Sequence, residues 1–125
     1  MPDGPKRPVV VIEDDSSMSQ ALERILRLGG HEPRKYVSAE AYLESGDASV
    51  VACFVIDVQL PGISGFDLQA RLAQTNGATP IIFVTAFDTP EARARAHEAG
   101  AAGFLVKPFS GRLLLETVAT AVAEA

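Results

Sequence analysis

The stretch from Val50 to Leu68, VVACFVIDVQLPGISGFDL, constrains the fold of this chain more than any other. Its first part, Val50 to Ile56, is uncharged and mostly apolar, and a single acid, Asp57, follows it directly. Two turn-forming residues, Pro61 and Gly62, come soon after the acid. A continuous apolar run bounded by turn residues is typical of a strand buried on both faces of a parallel sheet. Because such sheets bind ligands at the carboxyl ends of their strands, the stretch predicts a functional role for Asp57.

The rest of the chain alternates between strand-like runs and helix-like patterns. The predicted strands cover 9–12, 33–37, 50–56, 81–84 and 102–106. This alternation, with short connections, predicts an α/β protein with a parallel sheet and helices on both faces. The second strand is polar and contains Pro33, which suits a sheet edge. We therefore expect a flavodoxin-like, doubly wound, five-stranded sheet in the order 2-1-3-4-5, whose topological switch lies between strands 1 and 3.

Each predicted helix has a recognisable start. Residues that can cap a helix precede the five helical patterns: Asp15 or Ser16, Ser38, Ser64, Thr89 and Ser110. The first helix has apolar residues at amphipathic spacing from Met18 to Leu26. The fourth helix, over 90–99, has only alanines on its apolar face, so we expect it to bury little apolar area.

Composition limits the classes of protein to consider. The chain has 125 residues, is 47% apolar and 22% charged, and carries a net charge of -5. These values suit one soluble domain, which we place at 8–125 after a disordered lead-in at 1–7. The basic residues are scattered, which argues against nucleic-acid binding. Without a signal-peptide pattern or a run of roughly 20 apolar residues, we expect a cytoplasmic protein with no membrane segment.

Chemically distinctive side chains follow the predicted strands. They are Glu13, Asp14 and Asp15 after strand 1, Asp57 after strand 3, Thr85 after strand 4 and Lys107 after strand 5. Because strands 1 and 3 are neighbours in the predicted sheet, their acids should converge. Close carboxylates repel one another, and they either take up protons or bind a cation. Oxygen ligands without nearby His or Cys favour a hard cation, and a few carboxylates with waters suit Mg²⁺.

Thr85 and Lys107 would approach the same edge from the other side. A hydroxyl and a compact ammonium group are common partners of phosphate oxygens. Together with a carboxylate nucleophile and a metal, they suit the transfer of a phosphoryl group to Asp57.

Each of these residues also has a structural interpretation when taken alone. An acid at a strand end often caps the next helix, and we assign that role first to Asp15. Threonine favours strands, and a lone lysine such as Lys107 is usually solvated. The convergence of all of them on one sheet edge favours the functional interpretation.

These residues resemble those of the receiver domains of bacterial two-component response regulators, of the FixJ, NarL and CheY types. The resemblance rests on the acidic cluster at 13–15, D-x-x-L-P-G-x-x-G from Asp57 to Gly65, V-T-A at 84–86, E-A-G-A at 98–101 and K-P-F at 107–109. It extends from Val9 to about Val122, nearly the whole chain.

The resemblance implies specific roles. Asp57 would accept a phosphoryl group from the phosphohistidine of a sensor histidine kinase or a phosphotransfer protein. Mg²⁺ would be held by Glu13, Asp14, Asp57 and the backbone carbonyl of Gln59. Thr85 and Lys107 would hold the phosphoryl oxygens. The Lys107–Pro108 bond is often cis in this family.

The resemblance also implies a conformational response. Phe104 stands where many receivers carry a switch tyrosine, although it also suits a packing residue of strand 5. The face of helix 4, strand 5 and helix 5 would change on phosphorylation and bind a partner, a second copy in a homodimer, or an output domain such as a DNA-binding domain outside this chain. Two further departures are Glu13, where many receivers have Asp, and Leu60, where many have Met.

Three other functions are alternatives to a receiver. A phosphohydrolase of the haloacid-dehalogenase type needs a second acid two residues after its nucleophile, and Gln59 stands there. A nucleotide- or flavin-binding module needs a glycine-rich loop after strand 1, where this chain has acids. A degenerate receiver would lack key residue types, all of which are present. We therefore expect a signalling switch rather than a turnover enzyme with an external substrate.

Overall fold

The computed structural model describes residues 7–47, 49–75 and 77–124. They form five strand–helix units in chain order: β1 (Val9–Ile12), α1 (Ser16–Leu28), β2 (Pro33–Tyr36), α2 (Ala39–Glu44), β3 (Cys53–Asp57), α3 (Gly65–Thr75), β4 (Ile81–Thr85), α4 (Pro90–Glu98), β5 (Gly103–Val106) and α5 (Gly111–Glu124). Except for Arg7, the predicted lead-in at 1–7 lies outside the described residues. Among the described helices, none has both the length and the apolar character needed to cross a membrane.

The strands form one parallel sheet in the order β2-β1-β3-β4-β5, as predicted. The direction of winding reverses between β1 and β3, which places the topological switch next to Asp57. The polar strand β2 lies at the edge, where its Lys35 is exposed.

Alternate side chains of the central strands enter two apolar layers, because successive side chains of a strand point to opposite faces. In β1, Val9 and Val11 pack in the layer that contains the buried residues of α1 and α5. Val10 and Ile12 pack in the layer that contains those of α2, α3 and α4. Helices therefore cover both faces of the sheet, and the predicted fold class is confirmed.

Strand β3 begins later than the apolar run predicts. The run starts at Val50, but the strand starts at Cys53 and the Val50 side chain is 63% exposed. The register explains the difference, because the first residue of β1, Val9, pairs with Cys53. Residues before Cys53 therefore have no β1 residue beside them, and apolar character alone does not extend a strand beyond its neighbours.

The predicted caps form as hydrogen bonds. Asp15, rather than Ser16, caps α1 by accepting from the Met18 N–H at 2.9 Å. The hydroxyls of Ser38, Ser64, Thr89 and Ser110 accept N–H bonds from the first turns of the other four helices. Local sequence therefore determines where these helices begin.

Helix α4 is weakly anchored to the rest of the fold. Of its nine residues, only Ala96 is buried, and Ala92 packs partly against the same apolar layer. An alanine methyl buries little apolar area compared with a leucine side chain. The sparse packing expected from the sequence is present.

A polar network joins the edge strand to the connection between α2 and β3. The Asp47 carboxylate accepts hydrogen bonds from the Ser49 backbone N–H, from Arg34 Nη1 and from the Tyr36 hydroxyl at 2.9, 2.8 and 3.1 Å. The hydrogen bonds from Ser49, followed by the one from Arg34, hold the pKa of Asp47 well below its usual range. Asp47 therefore stabilises the fold in its charged form.

We predict that Asp47→Asn lowers the urea midpoint of unfolding at neutral pH. Because the pKa of Asp47 is lower in the folded protein than in the unfolded chain, its charged form stabilises the native state at pH values above the pKa of the unfolded chain. This stabilisation is lost as the pH falls below about 4. The difference in midpoint between wild type and Asp47→Asn should therefore shrink on acidification. Glu98→Gln, at an exposed position of α4, is the control. A difference that stays constant down to acid pH would contradict the role of the Asp47 charge.

Candidate functional site

Three carboxylates meet at the carboxyl edge of the sheet. Glu13 directly follows β1 and Asp57 ends β3, and the pairing of Ile12 with Ile56 brings the two acids side by side. One oxygen from each of Glu13, Asp14 and Asp57 lies within 4.8 Å of the others. Glu13 and Asp57 are buried, whereas Asp14 is exposed. The cluster therefore has two interior carboxylates and one that faces solvent.

Lys107 brings its ammonium group between the two buried acids. Its Nζ lies 2.9 Å from Glu13 Oε1 and 3.0 Å from Asp57 Oδ2, and the side chain is 16% exposed. Lys107 reaches this position because its backbone N–H donates to the carbonyl of Thr85 at 2.8 Å and so ties the ends of β4 and β5 together. The lysine is thus the internal counter-ion of the carboxylate pair.

One ammonium group does not fully compensate these acids. Burial raises the pKa of Glu13 to about 7, because the hydrogen bond from Lys107 offsets only part of that effect and the neighbouring Asp57 adds to it. Burial opposes the charge of Lys107, but its contacts with both carboxylates outweigh this and raise the Lys107 pKa. Without a further cation, the cluster tends to hold a proton, and a nearby cation would favour the ionised acids.

The donor set fits Mg²⁺. Glu13, Asp14 and Asp57 offer only oxygen ligands, and the exposure of Asp14 leaves room for a partly hydrated ion, the form in which proteins usually bind Mg²⁺. The peptide of Gln59 lies beside them, because its N–H donates to Asp57 Oδ1 at 2.8 Å. That hydrogen bond also fixes the orientation of the Asp57 carboxylate.

The connection after β3 depends on a glycine at 65. The Gly65 N–H donates to the Val58 carbonyl at 3.2 Å. A Cβ on Gly65 would collide with the Asp57 backbone oxygen and lie 2.9 Å from the Val58 Cα. Only glycine permits this close approach, so Gly65 brings the start of α3 against the backbone of Asp57.

Thr85 lies at the same edge, but its hydroxyl is engaged elsewhere. The buried Oγ1 accepts from the Phe87 N–H at 3.0 Å and lies 3.3 Å from the Phe87 carbonyl. The hydroxyl therefore holds the connection between β4 and α4. It would have to leave Phe87 to reach a group bound on Asp57.

Phe104 packs in the apolar layer that contains α4, and Arg93 covers its outer face. The Arg93 guanidinium lies 5.1 Å from the centre of the Phe104 ring, a cation–π arrangement. The same guanidinium forms a bidentate pair with Asp88, with Nη2 3.0 Å from Oδ2. This geometry is that of a packing residue. It also connects Phe104, through Arg93 and Asp88, to the connection that Thr85 holds.

Two other predicted site residues have clear positions. Asp15 caps α1 and is not in the carboxylate cluster, although its backbone N–H donates to Glu13 Oε2 at 3.2 Å. The peptide bond between Lys107 and Pro108 is cis.

Sequence reasoning missed Glu40. This residue of α2 accepts a hydrogen bond from the Ile63 N–H at 2.9 Å, across 23 residues of sequence. No spacing or motif predicts that contact. Gly62, next to Ile63, has a positive φ of +75°. The sequence predicted a turn at Gly62 but not its contact with Glu40.

Comparison with known proteins agrees with this geometry. The family model described as the response regulator receiver domain matches residues 9–119. Nodulation protein W of Bradyrhizobium diazoefficiens is 42% identical over 90% of this chain and 50% of its own length. The transcriptional regulatory protein FixJ of Azorhizobium caulinodans is 33% identical over 89% of this chain and 53% of its own length. The chain therefore spans about half the length of these curated relatives.

Solved structures show the same fold. A CheY-like response regulator receiver domain protein from Methanospirillum hungatei JF-1 superposes with a TM-score of 0.88 over 96% of each chain, at 22% identity. The structure shows the same fold, and the family model and the sequence relatives identify the family. The chain belongs to the family of response regulator receiver domains.

Proposed function

We propose that this chain is a phosphoacceptor switch of a two-component system, in which Asp57 takes a phosphoryl group from a phosphohistidine. The donor would be a sensor histidine kinase or a phosphotransfer protein. The observation that carries the proposal is the buried Asp57 carboxylate held among Glu13, Asp14 and Lys107 in a receiver domain. Residues 8–125 would act as a single receiver unit in the cytoplasm.

The transfer requires an oriented carboxylate and neutralised charge. An oxygen of Asp57 attacks phosphorus, the nitrogen–phosphorus bond breaks, and the imidazole leaves with its electron pair as the acyl phosphate forms. The hydrogen bond from the Gln59 N–H to Oδ1 keeps the carboxylate in one orientation. Preorganisation of this kind lowers the barrier, since little rearrangement is then needed during the reaction.

The metal site would consist of Glu13, Asp14, Asp57 and the Gln59 carbonyl. When bound there, Mg²⁺ supplies positive charge to the acids and to the transferred phosphoryl oxygens. Lys107 would then exchange its contact with Asp57 for one with the phosphoryl group. Since Lys107 lies 3.0 Å from Asp57 Oδ2, this exchange needs only a small movement.

The signal would leave the site through Thr85. If its hydroxyl moves from Phe87 to the phosphoryl group, the connection from 86 to 89 must follow. That connection holds Asp88, which pairs with Arg93 above Phe104. The face formed by α4, β5 and α5 would shift and bind a partner, a second copy, or an output domain outside this chain. Phosphorylation need only bias two arrangements of similar energy.

We predict that a small acyl phosphate donor with Mg²⁺ adds one phosphoryl group to the wild type, measured by intact-mass spectrometry, and that Asp57→Asn abolishes this. Mg²⁺ should also raise the melting temperature of the wild type by mass action, and less so that of Asp57→Asn. Asp67→Asn, at an exposed acid of α3, is the matched control. Unchanged, Mg²⁺-dependent uptake by Asp57→Asn would refute the assignment of the acceptor.

We also predict that Lys107→Met lowers the free energy of unfolding by about 3 kcal/mol, measured by urea titration without metal. The reason is that the substitution leaves two buried carboxylates next to each other without their counter-ion. Mg²⁺ should restore part of the loss. Lys35→Met removes a pair with Glu23 at the surface and should cost less than about 1 kcal/mol. Equal costs for the two variants would show that Lys107 is not the counter-ion of the acids.

Finally, beryllofluoride with Mg²⁺ should change amide hydrogen exchange in α4 and in the connection before it. The reason is that α4 has one buried residue, Ala96, and is otherwise held mainly by Arg93, which pairs with Asp88, and by Arg95, whose guanidinium lies 4.4 Å from the centre of the Phe66 ring. Asp57→Asn under the same conditions is the control. Exchange in α4 that does not respond in the wild type would contradict the proposed output face. Sedimentation of the same samples tests for a phosphorylation-dependent homodimer.

A further inference from the structure

A carboxylate on α2 holds the connection that carries one of the predicted metal ligands. Glu40 Oε2 accepts the Ile63 N–H at 2.9 Å, between Gln59 and the start of α3. The hydrogen bond from Ile63, then that from its own backbone N–H, lowers the pKa of Glu40, and the nearby Arg71 adds to the effect. Glu40 is therefore ionised at neutral pH, and an ionised acceptor forms a stronger hydrogen bond than a neutral one.

Helix α2 gives Glu40 a fixed position relative to β3. Ala39 and Tyr42 are buried. The Tyr42 ring packs edge-on against the Phe54 ring of β3, with 5.5 Å between the ring centres. The strand that ends in Asp57 and the helix that carries Glu40 thus belong to one packed unit. A contact from this unit to Ile63 restrains the connection at a second point, beyond its attachment to β3.

Gly62 lies next to this carboxylate in a backbone conformation that favours glycine. Its φ is +75°, a conformation that side chains rarely adopt. A Cβ at Gly62 would collide with Glu40 Oε2 and lie 3.2 Å from its Cδ. The absence of a side chain at 62 leaves the space that the Glu40 carboxylate occupies.

We propose that Glu40 is a positioning residue for the metal site, acting through Ile63 to hold the connection from Val58 to Gly65 in the conformation that places the Gln59 peptide beside Asp57. The inference rests on the proposed function of the carboxylate cluster. Glu40 itself touches neither the metal ligands nor the reacting group among the contacts described. Outer contacts of this kind orient metal ligands and tune affinity.

The test compares Glu40→Ala and Glu40→Gln with the wild type, and Glu44→Ala, at an exposed acid of the same helix, is the matched control. Mg²⁺ affinity is measured by calorimetry, and backbone amide spectra are recorded without metal. We expect Glu40→Ala to weaken Mg²⁺ binding about 10-fold. Glu40→Gln should weaken it less, because a neutral oxygen can still accept from Ile63. Glu44→Ala should leave the affinity unchanged.

Two readouts separate positioning from a general effect on folding. In the metal-free protein, Glu40→Ala should shift the amide resonances of Ile63 and Gln59, and a urea titration reports stability separately. Phosphoryl uptake by Glu40→Ala should approach the wild-type rate at saturating Mg²⁺. Lower stability with wild-type Mg²⁺ affinity and an unchanged Gln59 amide would overturn the proposal.

Further variants keep the test decisive. Gly62→Ala should also weaken Mg²⁺ binding, because the φ of +75° at this position disfavours a side chain and the added Cβ would crowd the Glu40 carboxylate. If Glu40→Ala does not fold, Glu40→Gln decides: weaker Mg²⁺ binding supports the proposal, and wild-type binding overturns it. A wild type that binds no Mg²⁺ would count against the proposed function, whereas the Gln59 amide in metal-free Glu40→Gln would still test the placement of the connection.

Discussion

The contact of Lys107 with Glu13 and Asp57 is the interaction on which the arrangement of the site depends. It joins the ends of β1, β3 and β5 across 94 and 50 residues of sequence. Burying charge is costly unless the charges are paired and hydrogen-bonded. Here the ammonium group of Lys107 pairs with both buried acids, so one positive charge faces two negative charges. The remaining negative charge is what makes the edge suitable for a divalent cation.

The molecule combines a rigid centre with a weakly held face. Every residue of β1, β3 and β4 is buried, so the carboxylate at the end of β3 has a fixed position. In contrast, α4 is held by small alanine side chains, by the contacts of Arg93 with Asp88 and Phe104, and by the contact of Arg95 with Phe66. The sheet is therefore held more firmly than α4. This division of stability suits a protein that reports an event at one edge to a binding surface.

The connection after β3 has a conformation that depends on two glycines and on a residue of α2. Gly65 permits the start of α3 to touch the backbone of Asp57, and Gly62 leaves room for the carboxylate of Glu40. The conformation thus depends on a close backbone approach at Gly65, on the positive φ of Gly62, and on one hydrogen bond from a different helix. The geometry of a metal ligand in this segment would depend on α2 as much as on β3.

The sequence by itself determined the five strand–helix units, the helix caps and the edge position of β2, because these depend on local hydrogen bonds, burial and the polarity of short segments. It also placed Glu13, Asp14, Asp57, Thr85 and Lys107 at one edge, because parallel strands all end on the same side. Only the tertiary structure decided that β3 starts at Cys53, that the Thr85 hydroxyl binds Phe87, and that Glu40 reaches Ile63. These features depend on register and on packing between distant segments, which leave no periodic pattern in the chain.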